Sequence, residues 1–359
     1  MGRAVHMKRA TSAERGPVRT RRSGVFMETL PPPPAPLPRF EVEVPPPDLS
    51  AWREGNCGIP GVMHFESRRV GPHVVVVCLI HGNEYTGAIV MDELLRARIR
   101  PGSGRLSVIF ANMAALAQFD PDHPVASRFI DEDMNRVWSE DTLHGTRSSH
   151  ELDRARQILP VIHTADILID LHSMLWPGRP LVLSGRAPRG VTLARQIGAT
   201  KLIVADDGHA DGTRLIDFAR FSSPRTQARA CLLEAGQHWQ AQTLQTARRA
   251  VRAVLRPSCF VAADTAGREG RETAQCMMVT DLVRAHSSRF AFVAPFRGGD
   301  IIARRGTLLA RDGDDEIRTP YDDCMLVMPN LRPGRGQTAL RLARRATPTT
   351  DGSFPRPTP

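Results

Sequence analysis

The 359-residue sequence is short of several things, and each shortage removes a class of protein. No apolar run approaches the roughly 18–20 residues that span a bilayer, so no membrane helix is expected. The basic N-terminus leads into Pro31 to Pro34 and not into an apolar stretch, which argues against a secretory signal. The six cysteines, Cys57, Cys78, Cys231, Cys259, Cys276 and Cys324, form no Cys-x-x-Cys pair. That scatter offers no disulfide framework and fits a reducing, cytoplasmic setting. Cys78 and Cys231 fall inside apolar runs, where a free thiol acts as a small hydrophobe. Only Lys8 and Lys201 are lysines among 48 basic residues. A GC-rich coding sequence produces such a bias without a functional cause. Tyrosine is as scarce as lysine, with Tyr85 and Tyr321 alone.

The formal charge of +10 is unevenly spread. Residues 1–26 carry Lys8 and six Arg against Glu14, and residues 331–359 carry six Arg against Asp351. Without these two tails the remaining body is close to neutral. Basic tails can bind nucleic acid or anionic surfaces. No aromatic residues are interleaved with the Arg to stack bases, so solvated ends are expected, with no nucleic-acid and no membrane partner. Met27 offers an alternative start, which would remove residues 1–26 from the translated chain.

What is present is an α/β pattern. Residues 1–50 are basic and then Pro-rich, and read as a disordered extension. From Val74 apolar runs alternate with helix-length segments. Strands are expected at Val74–Ile80, Leu106–Ala111, Asp166–Leu171, Leu181–Ser184, Lys201–Val204 and Ala230–Leu233. Helices are expected at Thr86–Arg98, Ser148–His163, Val191–Ile197 and Leu244–Leu255. This order predicts a mostly parallel mixed sheet flanked by helices over residues 51–257. After Pro257 short β-like runs separated by Gly and Asp turns predict a small, mostly β C-terminal domain over 258–345. A disordered tail, 346–359, follows.

The chemistry gathers at predicted strand ends. His81-Gly82-Asn83-Glu84 follows the first strand, at the C-terminal edge where open α/β sheets bind ligands. His-x-x-Glu alone is a weak pattern, and a single His at a strand end more often just meets solvent. Asp170-Leu171-His172-Ser173 puts a second His at the end of another strand. His81, Glu84 and His172 make a two-His, one-carboxylate set that can hold one ion and leave a position open for water. Asp170, two residues before His172, is on the same side of the strand and could orient that ligand from behind. Glu234 ends the run Cys231-Leu232-Leu233 and could accept a proton there; an ion-paired or helix-capping Glu is the alternative. Arg128-Phe129-Ile130-Asp131-Glu132-Asp133-Met134-Asn135-Arg136 offers two guanidinium forks for carboxylate or oxyanion. A surface charge cluster that pairs internally is the competing reading.

In chain order, His81-Gly82-Asn83-Glu84, the 128–136 arginine motif, Asp170-Leu171-His172-Ser173 and Leu233-Glu234-Ala235-Gly236 resemble the succinylglutamate desuccinylase/aspartoacylase family, part of the wider zinc carboxypeptidase-like group. The resemblance covers residues 81–236, and the β-like C-terminal region is similar to the family's second domain. It implies one zinc ion per chain on His81, Glu84 and His172. It further implies that Glu234 is the general base, that Arg128 polarises the scissile carbonyl, and that Asn135 and Arg136 grip a substrate carboxylate. Asp133 would be structural or stand behind a ligand. A further substrate-binding Arg found in some members has no clear match, and Arg225 is the nearest candidate. A distal Tyr contact would have to come from Tyr321. The expected activity is hydrolysis of a small N-acyl amino acid to a carboxylic acid and a free amine. The motifs leave the acyl group, the amine and the oligomeric state unassigned. A zinc carboxypeptidase acting on short peptides is the enzymatic alternative. Binding of nucleic acid or anionic surfaces through the Arg-rich tails is the non-enzymatic one.

Overall fold

The computed structural model describes residues 37–349, except 186, 210 and 257–273. The chain first forms strand β1 (Val62–Glu66) and strand β2 (His73–Cys78), then helix α1 (Thr86–Arg96), β3 (Arg105–Phe110) and the short α2 (Met113–Leu116). After a long loop come α3 (Glu140–His144), α4 (His150–His163), β4 (Ile167–Met174) and β5 (Leu181–Leu183). Next are α5 (Pro188–Ile197), β6 (Leu202–Ala205), the single turn α6 (Ala219–Ser222), β7 (Arg229–Gln237) and α7 (Ala241–Leu255). The rest is β: β8 (Gln275–Arg284), β9 (Phe290–Phe292), β10 (Ile301–Ile302), β11 (Leu308–Asp312), β12 (Asp315–Arg318), β13 (Cys324–Val327) and β14 (Thr338–Arg345). Among the described residues no helix is long and apolar enough to cross a membrane.

Eleven strands form one mixed sheet in the order β1-β3-β2-β4-β7-β5-β6-β8-β14-β13-β10. Its centre is parallel, with β3, β2, β4 and β7 side by side. The side-chain period of two then sorts β2 onto two faces. Val74, Val76 and Cys78 enter a core with α1, α5 and α7, while Val75 and Val77 enter a second core with α4. Burial on both faces is why these strands read as unbroken apolar runs and not as alternation. The expected fold class is therefore observed, with a small three-stranded sheet, β12-β11-β9, in the C-terminal region.

Several expectations need correction. The extension expected to reach residue 50 is ordered from residue 37: Phe40, Val42 and Val44 pack on the α1/α7 core. Val44 donates its N–H to Trp239 O at 3.0 Å, and Tyr85 Oη donates to Val44 O at 2.9 Å. Residues 1–36, including Met27, lie outside the described residues, as does Cys259. The basic stretch after residue 331, expected as a solvated end, instead carries β14 within the β region expected over 258–345, and β14 pairs with β8 on one side and β13 on the other. The strands β4 and β7 also run further than expected, because their mutual pairing continues through His172↔Glu234 to Met174↔Gln237. His172 and Glu234 thus stand within strands and not beyond their ends. Cys57, Cys78, Cys231, Cys276 and Cys324 are free thiols.

Candidate active site

Two neighbouring parallel strands, β2 and β4, bring the site together. After Cys78 the backbone at Leu79 enters the left-handed region, with φ 61°. A side chain is strained there, and the chain leaves the sheet abruptly, swinging His81 over the strand ends. Gly82 follows because nothing larger fits: a Cβ would lie 2.5 Å from Ala115 C, Leu116 N and Ser127 O. Its N–H donates to Arg128 O at 3.0 Å, which ties the first motif to the arginine loop. His81, Glu84 and His172 are buried, at 3%, 3% and 4% exposure, and one ligand atom from each lies within 4.8 Å of the others.

The Nδ1 atoms of both imidazoles face Glu84. His172 Nδ1 hydrogen-bonds Glu84 Oε2 at 3.0 Å, and Ser173 N–H donates to the same oxygen at 3.0 Å. His81 Nδ1 lies 2.8 Å from Glu84 Oε1 without the alignment of a hydrogen bond. The Nε2 atoms face away, each toward a carboxylate. Asp133 Oδ1 hydrogen-bonds His81 Nε2 at 2.8 Å, and Asp170 Oδ2 is 2.8 Å from His172 Nε2. Arg128 closes the group, donating to Glu84 Oε1 at 2.8 Å and to Asp133 Oδ2 at 3.4 Å. Burial opposes the charge of Glu84, but His81 and His172 outweigh it and hold its carboxyl well below the usual range. Burial likewise opposes protonation of His172, yet Asp170 and Glu84 push its pKa well up.

Glu234 pairs in register with His172 on one side and with Leu181 of β5 on the other. Burial, then the Glu84 charge, pushes its carboxyl up to about 8, and its Oε2 has no hydrogen-bond partner. Asn135 is fixed by Leu215 N–H donating to its Oδ1 at 2.9 Å. Arg136 donates to Asn135 O at 2.7 Å and lies 3.6 Å from Asp133. The structure thus brings His81, Glu84, His172, Asp133, Asp170, Arg128, Asn135, Arg136 and Glu234 into one neighbourhood. Arg225 is not brought there. It is exposed in the turn before β7, and a strand advances about 3.3 Å per residue, so it lies at the opposite edge of the sheet from Glu234. Tyr321 is placed in the C-terminal core, its hydroxyl 2.5 Å from Thr280 Oγ1.

Four buried residues went unread in the sequence. Glu151, at the start of α4, accepts the N–H groups of Ile130, Asp131 and Glu132 at 2.7–3.1 Å and so shapes the arginine loop. His238 Nδ1 lies 2.7 Å from Ser173 Oγ, and burial pushes its pKa down to about 4. Arg214 forms two hydrogen bonds with Asp206 and one with Asp217. Arg341 reaches the same carboxylate from β14, with Nε 4.0 Å from Asp206 Oδ2. A cavity of about 350 Å³ lies beside the 206–217 loop, lined by Asp206, His209, Gly212 and Thr213 among others. None of His81, Glu84, His172 or Glu234 lines it, so it is separate from the His–Glu–His group.

The donor set fits a divalent cation. Two imidazole nitrogens and a carboxylate converge, a combination that suits zinc and leaves an open position. His81 Nδ1 is buried with no hydrogen-bond partner, as a ligand atom would be. The carboxylates behind each Nε2 match the way ligating imidazoles are usually held.

The comparisons agree with this geometry. The family model for the succinylglutamate desuccinylase/aspartoacylase catalytic domain matches residues 70–258, more than half of the chain. A probable aspartoacylase of Parasynechococcus marenigrum (strain WH8102) is 33% identical over 132 residues, covering 34% of this chain and only 41% of the relative. A succinylglutamate desuccinylase of Yersinia pestis (strain Pestoides F) is 25% identical over 301 residues, covering 77% and 86%. The crystal structure of a succinylglutamate desuccinylase from Vibrio cholerae shares the fold, with TM-score 0.61 at 17% identity over 82% of this chain and 88% of that one. Motif order, strand topology and these matches lead to one assignment: the chain belongs to the succinylglutamate desuccinylase/aspartoacylase family.

Proposed function

We propose that the protein is a zinc-dependent deacylase that hydrolyses the amide bond of a small N-acyl amino acid or related carboxylate. The observation that carries this reading is the buried His81–Glu84–His172 group with Glu234 on the adjacent strand. Relatives named aspartoacylase and succinylglutamate desuccinylase support the substrate class.

His81, Glu84 and His172 would hold the ion, which would acidify water and polarise the carbonyl as a Lewis acid. Asp133 and Asp170 fix the two imidazoles so that both Nδ1 atoms face the ion's position. Glu234 accepts the proton of the attacking water at its free Oε2 and delivers it to the leaving nitrogen. Burial of its carboxyl disfavours the charged form and so favours uptake of that proton. Arg128, next to Glu84, offers a positive charge where oxyanion character develops. Asn135 and Arg136 would orient the substrate carboxylate. Trp239 Nε1–H donates to Asn83 O at 3.0 Å and braces the first motif from the side.

The test is metal analysis of the purified protein with an assay of amine release from a panel of N-acyl amino acids. About one zinc per chain and release of amine are expected, with short peptides left intact. Protein without bound zinc, or a His81→Ala variant that keeps its full metal content, would sink the reading. Cleavage of peptides in preference to acyl amino acids would instead point to a carboxypeptidase.

A further inference from the structure

We propose that His238 is a positioning residue: its imidazole fixes the Ser173 hydroxyl and so keeps the Ser173 N–H aimed at Glu84, one of the three groups that would hold the ion. The inference rests on the deacylase reading for the ion. Its geometric basis lies on the other face of the sheet from the ligand side chains.

Side chains along a strand alternate between its two faces. Asp170 and His172 project to one side of β4, while Ile169, Leu171 and Ser173 project toward α1 and α7, where Ile169 and Leu171 join the apolar core. Ser173 is polar and only 4% exposed. Its N–H donates to Glu84 Oε2 at 3.0 Å, and its hydroxyl lies 2.7 Å from His238 Nδ1. Either the hydroxyl donates to the ring, or a ring N–H donates to the hydroxyl. In both cases one buried polar group satisfies another. The backbone N–H of His238 also donates to Met174 O at 2.7 Å. One residue therefore holds the end of β4 by side chain and by backbone, immediately after His172.

Two irregularities bring the chain to this place. Between the pairs His172↔Glu234 and Met174↔Gln237, β7 carries one residue more than β4, as in a β-bulge. Gly236 lies in that stretch with φ 138°, and a Cβ there would meet Thr243 Oγ1 at 2.7 Å. Trp239 then adopts φ 63°, a conformation that costs a side chain energy and persists only where the surroundings impose it. Trp239 Nε1–H donates to Asn83 O at 3.0 Å. Consecutive residues after β7 thus grip the neighbours of two ligands: His238 grips Ser173, next to His172, and Trp239 grips Asn83, next to Glu84. Both extend from the strand that carries Glu234, four residues before His238. The bulge and the strained turn so tie the two ligand-bearing segments to the strand of the proton-accepting carboxylate.

Competition between the full-length protein and a chromogenic zinc chelator tests this, because it reads affinity and not turnover. His238→Ala is expected to bind zinc about tenfold more weakly, the low end of what partners behind metal ligands contribute. His238→Asn, whose amide can stand where Nδ1 stands, should recover most of that loss. Ser173→Ala should show a loss like that of His238→Ala, and the double variant no more than either alone, since the two act as one unit. Wild-type zinc affinity in His238→Ala overturns the inference. A lowered melting temperature with that affinity intact overturns it too, because His238 would then serve the fold alone. Additive losses in the double variant do the same. If His238→Ala does not fold, Ser173→Ala decides, and unchanged affinity there is the overturning result. Wild type that binds no zinc is a distinct outcome, which sinks the deacylase reading and this inference together.

Discussion

At the scale of single residues, the His–Glu–His group and Glu234 were legible because a parallel sheet fixes where its strand ends lie. His81, Glu84, His172 and Glu234 each follow an apolar run, and adjacent parallel strands carry their C-terminal ends to one edge. Arg225 shows the limit of counting along the chain. Nine residues before Glu234 is a full strand length, and it leads to the wrong edge of the sheet. Glu151 and Arg341 gave no signal at all. One resembles an ordinary acidic residue in the first turn of a helix, and the other an Arg in a basic tail. What distinguishes them is burial, and burial here comes from distant partners. Asp170 is the best residue-scale probe, since it is fully buried and its Oδ2 lies 2.8 Å from His172 Nε2. Replacing it with Asn keeps the shape and removes the charge. Partners behind metal-binding imidazoles are worth roughly 10–100-fold in metal affinity. Asp170→Asn should weaken zinc binding by about that factor in competition with a chromogenic chelator, and unchanged affinity would remove Asp170 from the ligand-holding role.

At the scale of elements, apolar periodicity located every strand of the catalytic half except β1 and the four long helices α1, α4, α5 and α7, with ends displaced by a few residues, and missed the short α2, α3 and α6. The misses have identifiable causes. Phe40, Val42 and Val44 alternate with period two, a strand-like signal that the flanking prolines obscured. In β14 only Leu340-Arg341-Leu342 alternates before the register shifts at Ala343, and its arginines suggest a solvated tail. The loop between α2 and α3 was the least readable part, because it has no period of its own. Its shape comes from outside, from the Glu151 carboxylate that gathers three successive N–H groups and the Asn112 side chain. Each buried amide left without an acceptor costs about 1–3 kcal/mol. Glu151→Ala should therefore destabilise the fold by about 3–5 kcal/mol and release the loop that carries Arg128, Asn135 and Arg136. Thermal denaturation should register the first effect and loss of catalytic rate the second. Glu151→Gln, which keeps one acceptor oxygen, should lose less of both. An Ala variant as stable as wild type would mean that the loop holds its own shape.

At the scale of the whole molecule, the least legible feature was how the two halves join. A change from strand–helix alternation to short β runs after Pro257 reads as a boundary between separate bodies. The backbone does something else: β8 pairs in parallel with β6, so the main sheet continues from the catalytic half into the C-terminal region. The pairing spans some seventy residues of sequence, and no local pattern encodes a contact so distant. The cores merge as well, since Met277, Met325, Val327 and Ala343 pack in the same apolar cluster as α4 and β2. Arg284 of β8 pairs with Asp211 of the catalytic half, and Arg341 of β14 approaches Asp206, so the C-terminal strands also support the loop beside Arg136. Two halves that share a sheet, a core and buried charges should not unfold separately. Calorimetry of the intact chain should show one endotherm whose van't Hoff and calorimetric enthalpies agree. Two resolved transitions would mean that the shared sheet adds little coupling. The C-terminal strands would then be an appended module, and their contacts to the loop beside Arg136 would not hold it rigidly.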